Sequence, residues 1–108
     1  MAKWTEGQLD IVFHDGFRTV TGLVSGAFGI HHDDERDPAG WVVTHIGTGY
    51  AVGSWQLFWD VETAKEFAAR IEPLTDWSDV DVDNPPVGFG IQEIAEVLLA
   101  REGQKVLF

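Results

Sequence analysis

Residues 41–71 read WVVTHIGTGYAVGSWQLFWDVETAKEFAARI, and the spacing of their apolar positions changes partway through. WVVTHI (41–46) is rich in β-branched and aromatic side chains, which suit a pleated, half-buried strand. Gly47-Thr48-Gly49 turns the chain, and YAVGSW (50–55) returns as a second strand. From Asp60 onward the apolar residues fall at Val61, Ala64, Phe67, Ala68 and Ile71, the spacing of one helix face. Asp60 is a good N-cap, Glu62 complements the positive end of the helix dipole, and Pro73 stops the run. Within one segment strands give way to a helix, so the architecture is mixed.

On the N-terminal side, LDIVFH (9–14) and FRTVTGLV (17–24) flank Asp15-Gly16, a hairpin turn signal. Ser25-Gly26 makes a second turn into AFGIHH (27–32), and the polar stretch from Asp33 to Gly40 is a loop. On the C-terminal side, TDWSDVDVDNPPVGFG (75–90) is an acidic connector rich in Pro and Gly. A second amphipathic helix then covers about residues 91–102, with Ile91, Ile94, Ala95, Leu98 and Leu99 on one face and Gly103 as its stop. KVLF (105–108) suits a short edge strand or a segment packed under a helix. No internal repeat is present. The expectation is a single α+β domain over residues 1–108: an antiparallel β-meander of about five strands with two α-helices packed on one face.

Composition narrows the class. The chain has 108 residues, enough for one two-layer core, and 12% aromatic residues, which argues against disorder. Cysteine is absent, which excludes disulfides and thiolate zinc sites and fits a reducing compartment. The N-terminus, MAKWTEGQLDI, has no apolar run resembling a signal peptide, and no segment approaches the roughly 18 apolar residues a membrane helix needs. A soluble cytoplasmic protein is expected.

Charge is the strongest global signal. The net charge is −11, from 18 acids and 7 bases, and between Arg70 and Arg101 seven acids stand with no Lys or Arg among them. Such a field repels nucleic acid and anionic membranes and attracts basic protein surfaces. The plainer alternative is that acidity keeps a small protein soluble.

Several stretches invite a chemical reading. HHDDERD (31–37) has metal-ligand residue types, but adjacent His31 and His32 point to opposite faces of a strand and cannot grip one ion together. His32 with Asp34 would make only a weak two-ligand site, so the stretch reads as a solvated hairpin tip. SDVDVDN (78–84) alternates Asp79, Asp81 and Asp83 like the start of a calcium loop. Asn84 and Gly90 stand where such a loop requires Gly and Glu, and Pro85-Pro86 intrude. If extended, its three carboxylates line one face about 6–7 Å apart, near the phosphate spacing of a nucleic-acid strand. GxSxG is missing, and GTGYAVG lacks the Lys and Ser/Thr of a P-loop. No catalytic residue, metal site or cofactor is expected. SWQLFWD places Trp55, Phe58 and Trp59 within five residues, near Trp41 and Trp77. Not all can point inward, and an exposed indole is an effective binding anchor.

Trp41, Thr44, His45, Thr48-Gly49 and Ala64-Lys65-Glu66-Phe67 resemble a hairpin-then-helix unit of small phage and mobile-element accessory proteins. In those a Trp/Tyr-V-T-H-x-x-T-G strand and turn leads into an A-x-x-F/A helix. The likeness covers residues 41–71. It implies a phage-like genetic context, and with it a possible inhibitor of host proteins or a nucleic-acid mimic.

The leading expectation is a non-enzymatic acidic protein that occludes a basic surface of a host protein, a nucleic-acid-binding surface among the options. Its binding residues would be Glu72, Asp76, Trp77, Asp79, Asp81, Asp83, Glu93 and Glu96. It would bind neither nucleic acid nor membrane directly. The alternative is a structural or self-assembling protein, dimeric or virion-type, joined through exposed aromatics and KVLF. A weak metal-dependent enzyme stands third.

Overall fold

Four antiparallel strands come first in the chain and two helices last. They are β1 (Thr5–Phe13), β2 (Gly16–Ser25), β3 (Phe28–Asp33), β4 (Gly40–His45), α1 (Val61–Ile71) and α2 (Ile91–Arg101). In this computed structural model the described residues are 3–13, 16–36, 39–52, 57–81, 83 and 90–105. The strands pair antiparallel in the order β1-β2-β3-β4, so the protein is of the α+β class.

The sheet has four strands where about five were expected. The segment after β4 does return alongside it, and among the described residues it touches at two isolated bridges, Thr44↔Ala51 and Trp41↔Phe58. Between those bridges the returning segment advances seven residues while β4 advances three, so no continuous ladder can form. Residues 53–56, which include Trp55, lie outside the described residues, as do His14-Asp15 and residues 106–108 of KVLF.

The helices form where the apolar spacing placed them. At the start of α1 the Asp60 carboxylate accepts the Glu62 N–H at 3.0 Å, the N-cap bond its sequence position suggests. Ala64, Phe67, Ala68 and Ile71 of α1 join Ile91, Ala95, Leu98 and Leu99 of α2 and Phe28, Ile30 and Val43 of the sheet in one buried cluster. Full burial of each large side chain contributes about 1.5–3 kcal/mol, so this single cluster dominates the fold's stability. The end of α2 is fastened to the middle of α1: Glu66 receives both Arg101 and Arg70, which hold its carboxyl below the usual range.

The opposite face of the sheet is covered by its own first hairpin. Side chains alternate along a strand, so Gly29 and His31 face away from the layer that Phe28 and Ile30 meet. β2 stays in register with β3 only over Leu23–Ser25, while it remains paired with β1 along its whole length. The outer part of the hairpin therefore leaves the sheet and folds back. Leu9 and Ile11 are buried, and Leu9 fills the space where a Cβ on Gly29 would fall, 2.3 Å from its Cδ2. The Val12 N–H closes the loop by donating to the Gly49 carbonyl at 2.9 Å. The bend lies at Gly7 and Gly22, which face each other across the hairpin; a Cβ at Gly22 would lie 2.2 Å from the Ile30 carbonyl oxygen.

Candidate partner-binding surfaces

The turn after β4 fixes what the acidic connector can do. Gly49 takes a left-handed conformation (φ 77°) that lets its N–H reach the His45 carbonyl at 2.8 Å. That turn brings Thr48 Oγ1 to 3.1 Å from His45 Nδ1, and His45 Nε2 lies 3.0 Å from the Trp77 carbonyl oxygen. A carbonyl can only accept, so Nε2 carries a proton, and in the neutral ring Nδ1 accepts from the Thr48 hydroxyl. His45 is buried, and the motif Thr44-His45-x-x-Thr48-Gly49 thereby acts as a clamp on the connector.

That clamp draws Trp77 into the core, and here the expected site must be corrected. Trp77 is 5% exposed, with its ring 4.8 Å from Phe28 and its Nε1–H donating to the Ile71 and Glu72 carbonyls at 3.1 Å each. It closes the C-terminal end of α1 and presents no indole for docking. The extended row of carboxylates is also absent. Asp76 caps a 3-10 turn over Trp77–Asp79 by accepting the Ser78 N–H and hydroxyl, which holds its carboxyl below the usual range. Asp81 accepts the Asp83 N–H at 2.8 Å, a local turn of the kind Asp favours. Asp residues that bond their own backbone bend the chain, so Asp79, Asp81 and Asp83 do not stand in one line.

The acids themselves are at the surface. Glu72, Asp76, Asp79, Asp81, Asp83 and Glu93 are exposed and Glu96 is half-buried. Elsewhere, ion pairs join Arg18 to Glu35, Lys65 to Glu62, and Arg70 and Arg101 to Glu66. The other half of HHDDERD divides as its alternation requires. His32 is exposed and pairs with Asp34, whereas His31 is 6% exposed with Nδ1 lacking a partner, so the solvated tip begins only after it. No group of three or more metal-ligating side chains occurs among the described residues.

An accessible indole does exist, at the other end of α1. Trp59 is 50% exposed and, with Trp41, Asp60, Val61 and Glu102, lines a groove of about 460 Å³. Its backbone is pinned from α2. Glu102 Oε1 accepts the Trp59 N–H at 2.9 Å and Oε2 accepts the Asp60 N–H at 2.7 Å. Gln104 braces the same carboxylate at 2.8 Å and donates to the Leu57 carbonyl. Phe58, bonded to Trp41 at the bridge, turns inward, and alternation sends Trp59 out. The residue four places into the helix is Ala64, too short to draw the ring inward as a staple partner. That was the signal available in SWQLFWDVETA. A second exposed apolar group, Phe17, Ile46 and Tyr50, lies where the first hairpin meets the β4 turn.

No described helix is long and apolar enough to cross a membrane. Comparison with known proteins finds no matching family model, no similar curated protein and no similar solved structure.

Proposed function

We propose that the protein is a non-enzymatic acidic binding protein, of the kind represented by phage and mobile-element accessory factors, that occludes a basic surface of a host protein in the cytoplasm. The observation that carries this reading is the base-free stretch between Arg70 and Arg101, whose seven carboxylates are exposed except for half-buried Glu96. Lacking cations of its own, this stretch attracts those of a partner, and a nucleic-acid-binding face is rich in them. Charge of this kind speeds encounter and sets specificity.

The test uses four near-isosteric changes, Glu72→Gln, Asp83→Asn, Glu93→Gln and Glu96→Gln, none of which removes the Asp76 cap or the Asp81 turn. Affinity purification from the native host with wild type should retain a basic protein at low salt and release it near 0.5 M, where the Debye length is roughly 4 Å. The neutralised protein should lose most of that retention. Retention indifferent to both changes would sink the reading.

Exposed Phe17, Ile46 and Tyr50 favour a second reading, self-assembly through that apolar end. Light scattering after size exclusion separates the two, because a stable closed oligomer that excludes other partners supports assembly.

A further inference from the structure

We infer that the groove between Trp41 and Trp59 is an arginine-binding site, the anchor by which this protein holds a basic partner; the identity of that partner class rests on the function proposed above. Three features of the groove converge. Two indoles line it, Trp59 half exposed and Trp41 half-buried. Two carboxylates, Asp60 and Glu102, line it and no Lys or Arg does. The chain is locked there before any ligand arrives, because Glu102 bonds both backbone N–H groups of Trp59 and Asp60. A guanidinium fits such a place: it stacks flat on an indole while its edge donates to carboxylates.

Acceptor capacity remains for it. A carboxylate offers about four acceptor positions. Glu102 spends three, on Trp59, Asp60 and Gln104, and Asp60 spends one on Glu62. All of those donors are neutral, so both negative charges still act on the groove. Arg101 feels the charge of Glu102, but its guanidinium is engaged by Glu66 on the neighbouring helix α1. The carbonyl end of α2 points toward the same place and favours a cation further. The site also explains the separation of features along α1. Glu72 and the acids that follow it as far as Asp83 come after its far end, about 16 Å of helix away, so they steer while the groove grips.

The probe is the peptide acetyl-Gly-Arg-Arg-Gly-amide, titrated at low salt and followed by the indole Nε1–H resonances. The Trp59 and Trp41 signals should shift saturably and that of buried Trp77 should not. The lysyl peptide should bind severalfold more weakly and the norleucyl peptide not measurably, since neither offers a planar cation. Trp59→Ala should weaken arginyl-peptide binding about tenfold while leaving the thermal transition unchanged, because the ring is half exposed. Trp59→Phe should restore part of the affinity. The proposal is overturned if no saturable shift reaches Trp59, if norleucine substitutes for arginine, or if Trp59→Ala binds as wild type does. The two readings fail separately. Loss of the peptide effect with salt-sensitive partner retention intact removes only the groove. Peptide binding intact in a protein that retains no basic partner removes only the occlusion function.

Discussion

His31 is the one described side chain whose buried polar atom lacks a partner. It faces the inner side of the folded-back hairpin, and burial holds its imidazole below the ordinary value near 6.5, against a smaller opposing pull from Asp33. The sign of the pH effect follows. The unfolded chain takes up the proton near pH 6.5 and the folded protein resists it, so stability falls as the pH drops below that value. The carboxylates held low in the fold, Glu66 and Asp76, begin to matter only below about pH 4.5. The interval from about pH 7 to 5.5 is where His31 acts, clear of those carboxylates. Leucine at this position removes both the proton and the unmet hydrogen bond. His31→Leu should raise stability by about 1 kcal/mol at neutral pH and flatten the slope toward pH 5.5, as urea unfolding at the two pH values would show. An unchanged slope would mean that His31 does not report this interval. Trp77 is the converse case. Trp77→Phe keeps a ring in the core but deprives the Ile71 and Glu72 carbonyls of their donor, and should cost about 1–3 kcal/mol in the same assay.

Among the elements, the hairpin bend is the most exacting. Gly22 and Gly29 both sit where a Cβ would collide, yet the obstacles differ: the Ile30 backbone for Gly22, the end of the Leu9 side chain for Gly29. Gly22→Ala and Gly29→Ala should each cost about 1–3 kcal/mol, and Leu9→Ala should rescue the second without helping the first. A double-mutant cycle in urea checks this, and equal rescue of both would contradict the folded-back geometry. None of this was legible in FRTVTGLV, where Gly22 reads as a weak point in a flat strand. Its cause is a contact with a different strand, which periodicity cannot register. The helices were legible because Asp60, the Ala64–Ile71 stripe and the Ile91–Leu99 stripe are local signals. The fifth strand was not, because YAVGSW has strand composition while its register against β4 depends on how many residues separate the two bridges. The site divides in the same way. Surface acids follow from sequence, whereas the exchange of Trp77 for Trp59 as the accessible indole depends on His45, which meets Trp77 across 32 residues.

For the whole molecule, the net charge of −11 is spread over a body with a radius of gyration of 12.9 Å. At about 0.1 M salt the Debye length is about 10 Å, so charges on opposite sides of the protein are already screened from one another. Neighbours within residues 72–83 are not. Folding gathers the net charge of −11 into that body, so its self-repulsion opposes the fold, and it is the same charge that would draw in a basic partner. One variable then has two opposite consequences. Raising salt from about 20 to about 300 mM should raise the melting temperature of the free protein by several degrees while weakening its association with a basic partner. The four-residue neutral variant should lose both responses together, melting higher at low salt and binding poorly throughout. Calorimetry and a binding isotherm on the same samples would test it. A variant that lost the stability response but kept salt-sensitive binding would place the partner's contact elsewhere on the surface, and indifference of both quantities to salt would leave the acidity with solubility as its only role.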